Sequence, residues 1–554
     1  MTFDPGADSG RVVDPGAVRH LRAVANSLAG AWAATARTRT TFGRERAVLG
    51  LLGVDGLDRA GRPLAAGVVE RYVGESVERL ARGIALPFAM AAVEYDLEPR
   101  ELALDVASGA VDLALEAELL DDPERRAAAE RHARSLAAAA VARIDANRTA
   151  RRELLSVLGD PPRPWIAFDV LAADVAGARE EILARIRGGA ELLRIAVPAG
   201  RELSDRLAVS NGEAAGGVQE RRVEGPLDAA PAGSARGLNL LRDVVDRAAA
   251  ERGGYVRLGT WSPALAGPEQ AVVAAFDRLD AVRVDPIAEV VEASIDPDRA
   301  LADHAAASLL HARAGSTVIV GAGPLAVAPD MMRGVPSDGA TRAGRALALQ
   351  ALAVGLLHHH GVGDDQIAID TIPDWLADER DPFATAMAQV VLRRAVHPGA
   401  WLAFVEPPAE SSVTDAWPFI VAAVLPQAGR TSHVLRRGRD DHDAAVRDIE
   451  RVTARIAART KGAVAVAAES VRSIETSVGG RAAALASASL RAAIETLEAI
   501  DRRGWSAVLG TAPGQSGGSE SAAASRRIAA DAVVEMTDAF DPFTAVAASV
   551  PATG

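Results

Sequence analysis

Cysteine is absent from this 554-residue chain, which excludes disulfides, thiolate metal sites and cysteine nucleophiles. Lysine is nearly absent: Lys461 is the single one among 61 Lys and Arg residues. A Schiff base to a carbonyl cofactor needs a lysine amine. Only Lys461 offers one, and it follows Arg455 and Arg459 and precedes Gly462, which reads as a solvated helix end. Aromatic residues are scarce at 4%, and Tyr72, Tyr95 and Tyr255 are the only tyrosines. The 49% hydrophobic content must therefore build its core from Ala, Val and Leu. No stretch approaches the ~18 apolar residues of a membrane span, and Met1 to Gly10 lacks the apolar centre of a signal peptide. Surplus positive charge is lacking too. The net charge is −13, the opposite of the dense Lys/Arg that displaces counterions from nucleic acid. The chain reads as cytoplasmic, with neither a nucleic-acid nor a membrane partner.

What is present suits one large barrel with extensions, or two to three units. Residues 14 to 158 carry helical periodicity almost throughout. Asp121-Asp122-Pro123-Glu124 marks a helix start, and Gly159-Asp160-Pro161-Pro162 marks its end and a domain boundary. Short apolar runs then predict strands at Trp165–Val170, Glu191–Val197, Tyr255–Thr260, Ile287–Ser294, Thr317–Gly323, Gln366–Ile372, Trp401–Glu406 and Thr431–Arg436. Helical segments such as Pro268–Leu279, Ala340–Leu357 and Pro382–Val396 separate them. Such alternation predicts an α/β fold, a (β/α)8 TIM-type barrel with an N-terminal helical layer and C-terminal helices. A doubly wound open sheet is the competing architecture. The expected division is 1–160 helical accessory region, 161–440 barrel, 441–509 C-terminal helices, and 510–554 flexible linker and tail. A short helix is expected at about Arg526 to Met536, before Phe540-Asp541-Pro542-Phe543.

Local motifs narrow the chemistry. Gly321-Ala322-Gly323-Pro324 and the glycines between Gly212 and Gly217 have neither P-loop nor Rossmann spacing, so they read as turns. His358-His359-His360 precede Gly361. Three consecutive helical residues point about 100° apart and cannot share one ion, so no metal site is expected. Barrel enzymes place their chemistry at the C-terminal ends of strands. Those ends hold Asp169, Arg201, Ser262, Ser294, Asp296, Asp370, Asp374, Glu406, His433 and Arg436. The carboxylates suit acid–base work and ammonium binding, whereas Arg201 and Arg436 suit a carboxylate or phosphate. The competing reading is that these residues are caps and turns.

One string is far more specific. Glu45-Arg-Ala-Val-Leu-Gly-Leu-Leu-Gly-Val-Asp-Gly-Leu-Asp58 sits in a short amphipathic helix, with Val48, Leu51 and Leu52 on one face, followed by a turn at Gly53 and Gly56. It resembles the opening of the large α subunits of lysine 5,6-aminomutase and ornithine 4,5-aminomutase. The order helices, barrel, helices and tail is similar to theirs, and Tyr255 to Asp280 resembles their third barrel unit. The resemblance implies a component of an adenosylcobalamin- and pyridoxal-phosphate-dependent radical isomerase, moving an amino group on lysine- or ornithine-type amino acids. It also implies a small Rossmann-type β subunit that brings cobalamin and the Schiff-base lysine over the barrel mouth; self-association is the other partnership.

The chain departs from the family at ligand positions. Pro263 stands for the serine that contacts pyridoxal phosphate, Ala288 for the stacking tyrosine, and Ala293 for the phosphate-binding arginine. Gly323 replaces the substrate aspartate, and Glu410 replaces the substrate lysine, so that position favours a cation over a carboxylate. Ala196-Val-Pro-Ala-Gly200 stands where the family has Arg-Thr-Thr-Gly-Gln-Ser. The expected site residues are accordingly Asp370, Glu406 and His433 for catalysis, and Ser262, Arg201, Glu410 and Arg436 for substrate or cofactor. An altered or lost pyridoxal phosphate site is expected. The alternatives are a catalytically silent paralogue with a binding or regulatory role, and a barrel with new chemistry.

Overall fold

The computed structural model describes residues 13–56, 63–74, 76–196, 232, 234–261, 267–284, 297–321, 339–371, 381–405, 430–436, 464–504, 532–537 and 540–547. The N-terminal layer comprises α1 (Pro15–Arg37), β1 (Arg39–Thr40), α2 (Phe42–Leu51), α3 (Leu64–Val73), α4 (Val77–Arg82), α5 (Ala85–Tyr95), α6 (Pro99–Ser108), α7 (Leu113–Leu119) and α8 (Pro123–Leu158). Caps set its boundaries. Asp14 accepts from Gly16 N–H at the start of α1, and Thr41 accepts from Arg44 N–H at the start of α2. Asp122 caps α8 with Pro123 in its first turn, and Gly159 ends that helix at φ +81°.

The helix expected to be amphipathic is instead buried nearly all round: Phe42, Gly43, Arg44, Glu45, Ala47, Val48, Leu49 and Leu51 of α2 are all shielded from water. Other helices of its own layer cover one side, and barrel helices cover the other. Gly53 and Gly56 then turn the chain at φ +94° and +91°, a region open to glycine without a Cβ penalty.

The barrel runs through β2 (Trp165–Val170), α9 (Val175–Arg187), β3 (Leu192–Ala196), α10 (Ala235–Arg252), β4 (Arg257–Trp261), α11 (Pro268–Phe276), β5 (Ala281–Val284), α12 (Pro297–Ala314), β6 (Thr317–Val320), α13 (Gly339–His359), β7 (Ile367–Asp370), α14 (Pro382–Val396), β8 (Trp401–Val405) and β9 (Thr431–Arg436). Strands β2 to β9 pair in sequence order, all parallel, and β9 closes on β2. The closed barrel decides against the open sheet. The fourth barrel strand differs from the expected Ile287–Ser294. The fourth barrel strand is Ala281–Val284, whereas 287–294 lie outside the described residues. α11 ends at Phe276, short of the expected Leu279, which leaves room for β5 immediately after it.

α15 (Val464–Arg503) packs beside α13 and α1, with Leu490, Ala493, Leu497 and Ile500 against Leu21, Leu28, Leu347 and Leu352. Gly344 permits this approach, since a Cβ there would lie 2.5 Å from Ser489 O and 2.6 Å from Ala492 Cβ. The helix expected at Arg526–Met536 is not formed in its described part: β10 (Val534–Glu535) pairs antiparallel with β1. α16 (Pro542–Ala547) then packs against the N-terminal layer, with Phe543 buried, Arg44 ion-paired to Asp541, and the Arg44 guanidinium 5.0 Å over the Phe543 ring. No helix among the described residues is long and apolar enough to cross a membrane.

Candidate functional site

Strand alternation decides what lies inside the barrel. Trp165, Ala167, Leu192, Ala281, Ile319, Ala368, Ala403 and Val405 form the interior cluster. Half of these eight are alanine, where barrel interiors ordinarily use bulky branched residues. Gly259 adds to the small side chains; a Cβ there would lie 2.6 Å from Ala281 O. Long polar side chains stand at other inward positions, Arg194, Arg257 and Arg283 among them.

At the N-terminal end they make a plug. Arg257 lies 3.6 Å from the Trp165 ring centre, Arg163 lies 4.3 Å from Trp165 and 3.6 Å from Trp401, and Arg430 lies 4.2 Å from Trp401. Cations over indole faces are attracted by the ring quadrupole. Burial, reinforced by the neighbouring Arg257 charge, pushes Arg163 down to about 10. Asp160 ion-pairs with Arg257 from outside.

Toward the C-terminal end the interior becomes ionic. Asp169 on β2 receives Arg194 Nε at 2.9 Å and Nη2 at 3.2 Å from β3. Both side chains are buried, as a two-pronged charge-assisted pair requires. Arg283 on β5 stands 3.6 Å from Asp370 on β7. The Asp370 backbone is held from behind: Gln350 of α13 donates to its carbonyl at 2.9 Å, and Arg393 of α14 at 3.1 Å. Burial pushes Arg393 down to about 9, against the opposing effect of Asp370. His433 on β9 is buried, with Nδ1 3.2 Å from Ser432 Oγ. Burial and the nearby Arg194 and Arg163 charges push it down to about 3, so its ring is neutral.

Of the residues expected from sequence, Asp370 and His433 lie in the barrel interior, on strands either side of β8. Arg436 ends β9, and its side chain is outside the described part. Ser262, Arg201, Glu406 and Glu410 lie outside the described residues, as do Asp374, Ser294 and Asp296. Asp169 is bound to Arg194 within the barrel. The interior arginines Arg194 and Arg283 and the mouth residue Trp261 were not singled out from sequence. The signal was available: each occupies an inward position of a strand.

The histidine run diverges as helix geometry requires. His358 contacts Asp364 at 2.9 Å, His359 reaches toward Asn26 O at 3.4 Å, and His360 is buried. Among the described residues no group of three or more His, Asp or Glu is placed to hold a metal.

Pyridoxal phosphate can be tested against the tyrosines, all three of which are described. Tyr72 is in α3, Tyr95 ends α5 with its hydroxyl 3.0 Å from Glu116, and Tyr255 precedes β4 with its hydroxyl 2.8 Å from Asp280. None stands at the C-terminal ends of the described strands, so none of the three supplies the stacking tyrosine that the resemblance implies.

Residues 12–417 match the family described as the D-Lysine 5,6-aminomutase TIM-barrel domain of alpha subunit. The lysine 5,6-aminomutase alpha subunit of Fusobacterium nucleatum subsp. nucleatum is 24% identical over 397 residues, 71% of each chain. That of Acetoanaerobium sticklandii is 24% identical over 370 residues, 66% of each chain.

Proposed function

The chain belongs to the family of D-lysine 5,6-aminomutase alpha-subunit barrels, and from that premise we propose that it is the barrel component of an adenosylcobalamin-dependent aminomutase whose pyridoxal phosphate site is altered. The family match across the barrel carries the reading. The scaffold supports it: a closed parallel barrel whose interior carries opposite charges in Asp169, Arg194, Arg283 and Asp370, the two signs needed to hold an amino acid. Arg194 and Arg283 would face a carboxylate, and Asp169 and Asp370 an ammonium. Adenosylcobalamin, in this reading, comes on a small Rossmann-type partner subunit that covers the C-terminal face, and it supplies the radical chemistry. The chain's own residues bind and orient the substrate and exclude water. Ser262, Arg201, Glu406, Glu410 and Arg436 remain proposed mouth residues, with a cation at Glu410.

The placement of all three tyrosines favours a second reading, a silent paralogue acting as a binding or regulatory subunit. Co-expression with small cobalamin-binding chains separates the two. Association followed by an amino shift on a lysine- or ornithine-type amino acid supports the first. Association without turnover under any cofactor combination supports the second. No association with any such chain overturns both.

A further inference from the structure

Among the buried polar atoms of the barrel that have no hydrogen-bond partner among the described residues are Arg194 Nη1, Trp261 Nε1 and His433 Nε2. They come from β3, β4 and β9, and each belongs to a residue at an inward position. Arg194 faces Asp169. Trp261 pairs with Ala196, two residues along from Arg194 and on the same face, and His433 pairs with Trp165 of the interior cluster.

An unsatisfied buried donor costs about 1–3 kcal/mol, more if charged. Three such atoms in one barrel therefore call for an explanation. Packing does not supply it, because the interior positions nearby are alanine and glycine: Ala196, Gly259, Ala281 and Ala403. Arg194 has spent Nε and Nη2 on Asp169, which fixes the guanidinium plane and leaves Nη1 facing away from that carboxylate. His433 Nδ1 lies 3.2 Å from Ser432 Oγ, and in the tautomer in which Nδ1 accepts from that hydroxyl the ring proton is on Nε2. Trp261 Nε1–H is a donor only. Arg194 Nη1 and Trp261 Nε1 are therefore donors, the first of them charged, and His433 Nε2 joins them as a donor in that tautomer.

We propose that Arg194, Trp261 and His433 form an oxyanion subsite within the barrel that holds the carboxylate of a small ligand. The choice of a carboxylate rests on the amino-acid reading above; the donors themselves require only an oxyanion. Asp169 is the positioning residue that aims Arg194.

Calorimetric titration of the full chain at constant ionic strength with acetate, glycine, methylamine and inorganic phosphate tests this. Acetate and glycine should bind, and methylamine more weakly than either. Arg194→Lys keeps the charge beside Asp169 but removes the Nη1 donor, and Trp261→Phe keeps the ring but removes its N–H. Each should weaken acetate at least tenfold, the scale of one charge-assisted hydrogen bond. In the wild-type chain, acetate should also shift the His433 ring ¹⁵N resonances. This readout, with Trp261→Phe, carries the test should Arg194→Lys fail to fold. Absence of acetate and glycine binding, equal affinity in both variants, binding of methylamine as tight as glycine, or binding of phosphate alone would each overturn the proposal. Turnover with a cobalamin partner but no carboxylate binding at these donors would overturn this subsite and leave the family reading standing. Carboxylate binding at these donors without turnover under any cofactor combination would leave the subsite standing and count against the aminomutase activity.

Discussion

Replacing Asp280 by Asn removes one negative charge where the long helix α8, helix α10 and the barrel meet. The carboxylate accepts from the Tyr255 hydroxyl at 2.8 Å and from Leu258 N–H at 2.9 Å. It also pairs with Arg151 of α8 and Arg242 of α10, each at 2.9 Å, with only 3% of its side chain exposed. At 2.9 Å and an effective dielectric of about 20, each attraction is ~6 kcal/mol. Dehydration of the three ions offsets much of this, and neutralising one partner of a buried pair costs ~3–5 kcal/mol. Asn preserves the shape and one acceptor, so Asp280→Asn should lose an amount in that range. Burial alone would raise this carboxyl's pKa, but Arg151, Arg242 and Arg257 outweigh it and hold the pKa below the usual aspartate range. A depressed folded-state value means the stabilisation is full above the unfolded pKa and fades as pH falls through the folded one. The gap between wild type and variant should therefore persist at pH 7 and close only in strong acid. Urea unfolding measures the loss. Hydrogen exchange over β4 and the C-terminal turns of α8 localises it. A loss below ~1 kcal/mol at pH 7, with unchanged exchange at both segments, would refute the reasoning.

Asp303 gives the opposite pH dependence. Burial raises its pKa to about 6, although Arg299 and Thr41 oppose the shift. Its contribution is present below the unfolded pKa and is lost as pH rises through 6, so wild type should lose ~3 kcal/mol between pH 4 and 8. Asp303→Asn should flatten that slope in urea titrations; an unchanged slope refutes it. Gly344→Val should push α13 from α15 and cost ~1–3 kcal/mol, read as a lower thermal midpoint; an unchanged midpoint would count against the close helix contact. Mixed with pyridoxal phosphate, the isolated chain should form no borohydride-trappable adduct at Lys461, its only lysine; peptide mapping that finds one there refutes this.

Much of the fold was readable because it rests on local chemistry. Trp165–Val170 and Thr431–Arg436 are strands at the expected limits, and Asp122, Pro123 and Gly159 bound α8 as their capping preferences dictate. β5 is hard to read from sequence because Ala281-Val-Arg-Val284 is four residues long and carries an arginine, whereas 287–294 is a run twice as long. That arginine faces Asp370 across the interior, a contact that only barrel closure creates. Val534–Glu535 becomes a strand only because Arg39–Thr40 offers an edge, and no local periodicity encodes so distant a partner. The candidate site was harder to read. Arg194 looks like an ordinary strand residue until its register with Asp169 is known.

The docked segment at 540–547 bears on the order in which the molecule is made. Arg44 and Asp541 are 497 residues apart, yet they form one ion pair. During synthesis from the N-terminus, α2 must wait through translation of the entire barrel before Asp541 and Phe543 emerge. At ~5–20 residues per second that is roughly half a minute or more. Throughout that interval the nascent N-terminal layer presents the surface meant for Phe543 to the surroundings. The latching of the first helices by the late segment thus waits until the barrel has been translated, and a ribosome stalled before that segment holds a chain without its clasp.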